Sequence, residues 1–233
     1  MKIQCFHSSS AGNIYSISDG TTRIMIECGV DFKEIQKCFD FSLSSLAGCL
    51  ITHEHGDHAR SWEKVAKYTP VYMLKETAEA LKATWYNIKH YTPHQTFDLG
   101  TFKVIPASAA HDVPCCYFVI YSTVTREQVL FATDTAYISK NALNTHYAMI
   151  ECNYMFEHIN AAVDSGKLPA VARNRVVSSH LELNETKRVL KAINPNTLQE
   201  IHILHLSNRY ADASEVKKQI EAELGKPVYI AKE

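Results

Sequence analysis

Thr52-His53-Glu54-His55-Gly56-Asp57-His58 follows directly after a mostly apolar run over residues 46–52, which is typical of a buried strand. A strand end presents its side chains to a cleft from a rigid scaffold. On extended backbone His53 and His55 can point the same way and share one metal ion, while Asp57 and His58 can reach a second. Neutral imidazole and carboxylate suit zinc, and also iron, manganese or nickel. The alternative is a solvated polar turn, which would give three histidines and an aspartate at this spacing no role.

The rest of the chain alternates between strand and helix patterns. Strands are predicted at 3–6, 14–18, 22–27 and 46–52, within 97–132, and at 147–152, 201–206 and 228–231. Helices are predicted at 59–67, 75–83, from Asn184 to about Ile193, and at 214–224, whereas 153–176 looks less regular. Strand clusters in each half, followed by helices, predict an α/β fold in which two sheets lie face to face with helices outside. We expect a four-layer α/β/β/α sandwich over one domain, residues 1–233.

Composition limits the classes of function. The chain has 233 residues, 46% hydrophobic and 21% charged, which is typical of a globular domain. A formal charge of −1 argues mildly against a nonspecific nucleic-acid binder. Seven cysteines without a CxxC pair predict free buried thiols. The start of the sequence shows no secretory signal and no run is long enough to cross a bilayer, so we expect a cytoplasmic protein without membrane contact.

The HxHxDH pattern of residues 53–58 resembles the signature of the metallo-β-lactamase superfamily. Four further segments are similar to motifs of its phosphodiesterase branch, which includes transfer-RNA 3′-processing endonucleases (RNase Z), YycJ-like nucleases and phage anti-Pycsar cyclic-nucleotide phosphodiesterases. They are AAHDVPCCYFVI with His111, FATDTAY with Asp134, VVSSHLELNETKRVL with His180 and ILHLSNRY with His205. The resemblance covers nearly the whole chain, and the order and spacing of these segments agree with that branch.

The resemblance implies two divalent metal ions, Zn²⁺ first and Mn²⁺ or Fe as alternatives. The implied ligands are His53, His55 and His111 for one ion and Asp57, His58 and His205 for the other, with Asp134 bridging both. His180 would protonate the leaving oxygen, so His180, Asp57 and Asp134 are the expected catalytic residues. Each residue alone has a simpler interpretation: the histidines could be core or surface residues, and Asp134 could cap a helix.

Two departures from the family pattern stand out. Glu27 occupies the place where relatives usually have aspartate, a position expected to orient the metal ligands. The chain also lacks a long Gly/Pro-rich insertion like the arm with which RNase Z grips transfer RNA. Its SSSAGN segment resembles the YycJ-like and phage proteins, and Ser9 and Asn13 could donate hydrogen bonds to a phosphate; a plain turn is an equally good interpretation.

Three hypotheses remain for the substrate. The first is a small nucleotide, with 3′,5′-cyclic mononucleotides ahead of the others, in an anti-defence role like that of the phage relatives. Residues 153–178 would form a lid whose Tyr154 and Phe156 stack on the base and whose Arg173 and Arg175 contact the phosphate. An ordinary pair of surface helices is the alternative for this segment.

The second hypothesis is cleavage of DNA or RNA, which requires a continuous basic groove. The residues available for such a groove are Lys167, Arg173, Arg175, Lys187, Arg188 and Lys191. The third is a hydrolase of non-phosphate substrates or an inactive metal-binding protein, which the complete ligand pattern disfavours. By resemblance alone we also expect a homodimer.

Overall fold

The structure is a computed structural model, which describes residues 1–138 and 143–231. The chain forms two compact units. The first comprises Met1–Ser108 and Val113–Glu127, and the second comprises Ala109–Asp112 and Gln128–Ala231.

The first unit contains a mixed sheet of six strands that are hydrogen-bonded in chain order. They are β1 (Lys2–Ser9), β2 (Gly12–Ser18), β3 (Arg23–Ile26), β4 (Cys49–Leu50), β5 (Val71–Met73) and β6 (Ile88–His90). β1 to β3 pair antiparallel, and β3 to β6 pair parallel. The predicted buried strand over residues 46–52 is short, but both of its paired residues are fully buried. The metal-binding motif thus begins at the end of an interior strand.

Four short helices and three further strands complete this unit. They are α1 (Phe32–Cys38), α2 (Gly56–Ala59), α3 (Trp62–Val65), α4 (Lys75–Ala80), β7 (Phe97–Leu99), β8 (Phe102–Ser108) and β9 (Cys116–Ser122). β7, β8 and β9 form an antiparallel series. The helix predicted over 59–67 is shorter in the structure, where α3 covers its middle and only Ala59 belongs to α2. Ser61, between the two helices, donates its hydroxyl to the Val30 carbonyl at 2.7 Å.

A glycine fixes the path of the motif. A Cβ placed on Gly29 would lie 1.6 Å from the carbonyl oxygen of Asp57, far inside van der Waals contact. The two backbones therefore pass each other only where residue 29 has no side chain. This close approach is kept by a hydrogen bond from the backbone amide of Cys28 to the carbonyl of His58, at 2.8 Å.

The second unit contains four parallel strands in the order β10, β11, β12, β13. These are β10 (Gln128–Ala132), β11 (Tyr147–Glu151), β12 (Glu200–Leu204) and β13 (Val228–Ile230), with helices α5 (Phe156–Asp164), α6 (Ala170–Ser179), α7 (Leu183–Lys191) and α8 (Ala213–Leu224). Parallel strands end at the same edge of a sheet, so the residues that follow β10, β11 and β12 gather there. Every residue of β11 is buried, which makes it an interior strand.

Most predicted elements of this unit are present. Residues 153–176, which look less regular in sequence and had a pair of surface helices as the alternative, lie mostly in α5 and α6. The helices form because Ile159, Ala162, Val163 and Val176 create apolar faces that pack around Tyr154 and Leu168. The helix predicted from Asn184 begins one residue earlier, and the carboxylate of Glu182 caps it by accepting the Asn184 amide at 2.7 Å. Among the described residues, no helix combines the length and apolar character that crossing a bilayer requires.

Candidate metal centre

The first unit brings the four residues of the HxHxDH motif into one cluster. The ring centroid of His53 lies 4.6 Å from that of His55 and 4.3 Å from that of His58. His53 and His58 are fully buried. Three imidazoles with the Asp57 carboxylate beside them form a set of nitrogen and oxygen donors that fits a divalent metal ion.

Neighbouring side chains fix the orientation of these rings. The hydroxyl of Thr52 lies 2.9 Å from Nδ1 of His53, and the sulfur of Cys115 lies 3.7 Å from the same nitrogen. A partner on Nδ1 directs the other ring nitrogen, Nε2, toward a metal. Cys115 is one of seven cysteines that are all free thiols, as predicted from their spacing.

Asn13 holds the second half of the motif. Its side-chain amide donates to the Asp57 carbonyl at 3.1 Å and lies 3.2 Å from Nε2 of His58. The hydroxyl of Tyr15 donates to the Asn13 carbonyl oxygen at 2.9 Å. Asn13 is fully buried, and the Ser9 hydroxyl accepts the amide of Ala11 at 3.2 Å within the turn. The structure therefore places Asn13 among the motif residues, and Ser9 at the end of β1.

Glu27 makes contacts suited to orienting metal ligands. Its carboxylate lies 3.4 Å from Nδ1 of His58 and accepts the backbone amide of Thr52 at 3.3 Å. The residue is fully buried directly after β3. The glutamate that replaces the usual aspartate thus reaches both the strand end and the last histidine of the motif.

The second unit brings together the later motif residues. Asp134, Glu151, His180 and His205 each offer one ligand atom, and these atoms all lie within 4.8 Å of one another. Oδ1 of Asp134 is 3.0 Å from Nδ1 of His205 and 3.3 Å from Nδ1 of His180. Asp134 and His205 are almost completely buried, at 2% and 5% exposure. A buried cluster of two carboxylates and two imidazoles also fits a divalent cation.

Glu151 is a functional residue that the sequence analysis missed. It is fully buried at the end of β11, and its carboxylate lies 2.7 Å from Nδ1 of His180 and 3.0 Å from Nδ1 of His205. It also accepts the backbone amide of Leu181 at 3.2 Å. Burial tends to raise the pKa of Glu151, but the charge and hydrogen bond of His180 outweigh it and lower the pKa. The available signal was an acid at the end of an otherwise apolar strand, whereas Asp134 was identified from its resemblance to a family motif.

The two carboxylates make His180 a proton donor at neutral pH. Burial favours the neutral ring, but the charges of and hydrogen bonds to Glu151 and Asp134 outweigh it and raise the pKa of His180 to about 9. A histidine with this pKa is protonated at pH 7 and can give its proton to a leaving oxygen. His180 therefore has the charge that the predicted general acid needs.

His111 has the opposite tendency, as a metal ligand requires. Burial, only partly offset by Asp134, lowers its pKa and keeps the ring neutral. Its Nδ1 lies 3.1 Å from the carbonyl of Ser179, which suits an N–H donor, and its Nε2 lies 3.1 Å from the Asp112 carboxylate. The ring centroids of His111 and His180 are 5.9 Å apart.

Three of the buried residues described above, one in the first unit and two in the second, have left-handed backbone. The φ angles are 62° at Glu27, 51° at Asp134 and 49° at His205, and none of these residues is glycine. Each follows the end of a strand: β3, β10 and β12. Such backbone is unfavourable for non-glycine residues and concentrates at functional sites, where it aims a side chain.

The predicted phosphate-binding arginines lie on α6. Arg175 is paired with Asp112, the residue after His111, with Nη2 at 3.1 Å from the carboxylate. Nε of Arg173 donates to the Asn160 side chain at 3.2 Å, which joins α6 to α5. Both side chains are engaged within the second unit.

Comparisons with known proteins agree with this geometry. A family model described as "Beta-lactamase superfamily domain" matches residues 22–203. The exodeoxyribonuclease YycJ of Bacillus anthracis is 24% identical over 216 residues, 86% of this chain and 80% of that protein. The exodeoxyribonuclease WalJ of Streptococcus pneumoniae is 24% identical over 96% of this chain and 90% of its own.

Solved structures show the same fold. The metallo-β-lactamase fold protein YhfI from Bacillus subtilis covers 99% of this chain and 96% of its own, with a TM-score of 0.77 and 18% identity. The short form of human tRNase Z covers 100% and 97%, with a TM-score of 0.68 and 13% identity. The predicted α/β sandwich class is thus confirmed, and the donor sets of the two units fit the divalent metal ions that such a fold uses. The chain belongs to the β-lactamase superfamily.

Proposed function

We propose that this chain hydrolyses the phosphodiester bond at an end of a DNA strand. The observation that carries the hydrolytic part is the position of His180, whose Nδ1 lies 2.7 Å from buried Glu151 and 3.3 Å from Asp134. A protonated histidine can supply the proton that an alkoxide leaving group requires. Hydrolysis of a phosphodiester makes such a leaving group, whereas hydrolysis of an activated ester does not need the donor.

Two divalent ions, zinc first, are the proposed cofactors, with the ligands that the superfamily pattern implies. When bound, they supply a nucleophile at neutral pH and neutralise charge on the phosphate. The protein's own residues have the remaining roles. Asn13 and Glu27 hold the motif histidines. Glu151 keeps His180 protonated, and His180 faces the leaving oxygen. Asp57 and Asp134 are proposed to act as ligands whose loss abolishes turnover.

DNA is the proposed substrate because the curated relatives that match most of the chain are exodeoxyribonucleases. A cyclic nucleotide is the second candidate, and the pairing of surface cations favours it. Nζ of Lys187 lies 3.4 Å from Glu223, which also pairs with Lys191, and Nη2 of Arg188 lies 2.6 Å from Glu185. Because these cations already pair with carboxylates, α7 attracts a long polyanion only weakly. A short substrate, or only the end of a strand, fits this surface better.

The lid, the oligomer and the remaining contacts are part of the proposal. Residues 153–178 contribute Phe156 and Val177 to the wall of a cavity at His180, which supports their action as a lid. Ser9, Asn13, Arg173 and Arg175 remain predicted substrate contacts. The homodimer is proposed by resemblance, and a monomer in sedimentation at micromolar concentration would remove it.

The test is hydrolysis of a substrate panel by the metal-loaded protein, with Asp134→Ala as the control. The panel contains 3′,5′-cyclic mononucleotides, cyclic dinucleotides, single- and double-stranded DNA, and a precursor transfer RNA. Stepwise shortening of DNA with cyclic nucleotides untouched supports the first proposal. Turnover of cyclic mononucleotides with intact DNA supports the second, and turnover of neither overturns both.

A further inference from the structure

A cavity of about 430 Å³ opens beside His180 in the second unit. The size is in the range of small-ligand sites. Its wall includes aromatic residues from two different segments, Tyr137 after β10 and Phe156 at the start of α5, together with Asn184 and Arg188 of α7. The cavity therefore joins the candidate proton donor to an aromatic surface.

The two aromatic rings are held in place but remain accessible. Phe156 is 37% exposed, and its ring stands edge-on to Tyr154 with centroids 5.5 Å apart. Tyr154 itself is buried, so it supports Phe156 and offers no free face. Tyr137 is 50% exposed, and the guanidinium of Arg188 lies 5.0 Å from its ring centroid. Large exposed aromatics fixed by rigid neighbours are well suited to stacking on a planar ligand.

The supporting contacts give the cavity a polar edge as well. The guanidinium of Arg188 is held by a two-point contact with the carboxylate of Glu185 and donates to the Ile138 carbonyl at 3.2 Å. The Asn184 amide group lies 3.3 Å from Glu182, which fixes the position of its carbonyl oxygen. An aromatic wall with hydrogen-bonding and charged groups in the same cavity suits a nucleobase, whose faces stack and whose edges donate and accept.

We propose that this cavity binds the nucleobase of the nucleoside that leaves during hydrolysis, with the base stacked on Phe156 and Tyr137. The side of the scissile bond follows from His180, because the group that protonates the leaving oxygen must lie next to the leaving nucleoside. This assignment rests on the proposed phosphodiesterase function for its orientation. The binding of a base rests only on the cavity and its aromatic walls.

The first experiment measures binding and needs no turnover. Calorimetry follows deoxyadenosine 5′-monophosphate and thymidine 5′-monophosphate binding to the wild type, Phe156→Ala, Phe156→Trp and the double variant Tyr137→Ala/Phe156→Ala. We expect about 5- to 100-fold weaker binding for each alanine variant, the range for loss of a stacked base, and near wild-type affinity for Phe156→Trp. Tyr86→Ala, at an exposed tyrosine of the first unit, is the matched control and should change nothing.

The second experiment separates base recognition from hydrolysis. The same variants are assayed on a dinucleotide and on its analogue whose leaving residue is an abasic sugar, because a nitrophenyl ester would itself stack on the aromatic wall. We expect KM for the dinucleotide to rise about 5- to 100-fold in the alanine variants while KM for the abasic analogue is unchanged.

The proposal is overturned by unchanged nucleotide affinity in the double variant, or by no nucleotide binding to the wild type. Dissociation of an oligomer in Phe156→Ala with unaltered nucleotide binding would also overturn it, since the cavity would then hold a second copy of the chain. Nucleotide binding that depends on Phe156, without any phosphodiesterase activity, would keep the base site and remove the proposed function.

Discussion

Nδ1 of His180 lies 2.7 Å from Oε1 of Glu151, a carboxylate that is completely buried at the end of an interior strand. The pair places a charged donor and its counter-ion inside the second unit, beside Asp134. A buried carboxylate in contact with an imidazole fixes the ring and stabilises its positive charge.

Replacing His180 should separate substrates by their leaving groups. We expect His180→Ala to lower turnover of a dinucleotide about 10²- to 10⁴-fold, the usual range for a general acid. Hydrolysis of bis(p-nitrophenyl) phosphate should fall far less, because nitrophenolate leaves without a proton. Metal content, measured by atomic emission, should stay at the wild-type value. Equal losses on both substrates would exclude the proton-donor role.

Replacing Glu151 tests its role as a positioning residue. Glu151→Gln keeps the shape and removes the charge that holds His180 protonated, so turnover of the dinucleotide should fall about 10- to 100-fold, the range for groups behind a catalytic residue. Glu151→Asp should restore part of the loss. Turnover of the dinucleotide and of bis(p-nitrophenyl) phosphate is measured for each variant. A variant that loses bound metal and both activities together would show that Glu151 acts as a ligand instead.

Asn13 should affect metal binding more than substrate binding. Asn13→Ala removes the donor to the Asp57 carbonyl and the partner of His58, and we expect affinity for zinc to fall about 10- to 100-fold. Titration with a chromogenic chelator gives the affinity, and Ser9→Ala, at the end of the neighbouring strand, is the matched control. A rise in KM with unchanged zinc affinity would instead support the predicted phosphate contact.

Gly29 should tolerate no side chain. Gly29→Ala would place a Cβ 1.6 Å from the Asp57 carbonyl, so the motif loop must move, at a cost of about 3 kcal/mol or more in the free energy of unfolding. Gly56→Ala is the control, because a Cβ there meets no atom within 4 Å. Thermal denaturation of the two variants is the measurement. Equal melting temperatures would contradict the close approach.

Removing the metal ions should destabilise the protein as well as inactivate it. A ligand present at about 1,000 times its dissociation constant stabilises the folded state by about 4 kcal/mol. We therefore expect dialysis against a chelator to lower the melting temperature, and stoichiometric Zn²⁺ or Mn²⁺ to restore it. An unchanged melting temperature after verified metal removal would show that bound metal ions do not stabilise the folded chain.

The sequence predicted the family and its motif residues because their spacing is local. His53, His55, Asp57 and His58 sit within six consecutive positions after a strand, so the chain itself brings them together. Glu151 was not predicted, because its contacts form only when the parallel strands β10, β11 and β12 bring Asp134, Glu151 and His205 to one edge of the sheet. The left-handed backbone at Asp134 and His205 could not be predicted either, because neither residue type fixes a positive φ angle.

The helices of residues 153–178 show a different limit. Their apolar faces are short, and α6 has buried residues only near its C-terminal end, so periodicity was too weak to predict them. Their packing against Tyr154 and Leu168 is what stabilises them. The pairing of the cations of α7 was equally hidden, since Glu223 lies more than thirty positions beyond them in the chain.

That pairing bears on ionic strength. Lys187, Arg188 and Lys191 neutralise carboxylates of their own protein, so α7 offers few unpaired positive charges with which a phosphate could exchange its counter-ions. An enzyme that grips a long backbone loses affinity steeply as salt rises, because each neutralised phosphate releases a bound cation. Here, substrate affinity should change only slightly between dilute and physiological salt, so substrate binding would depend on short-range contacts and not on long-range attraction.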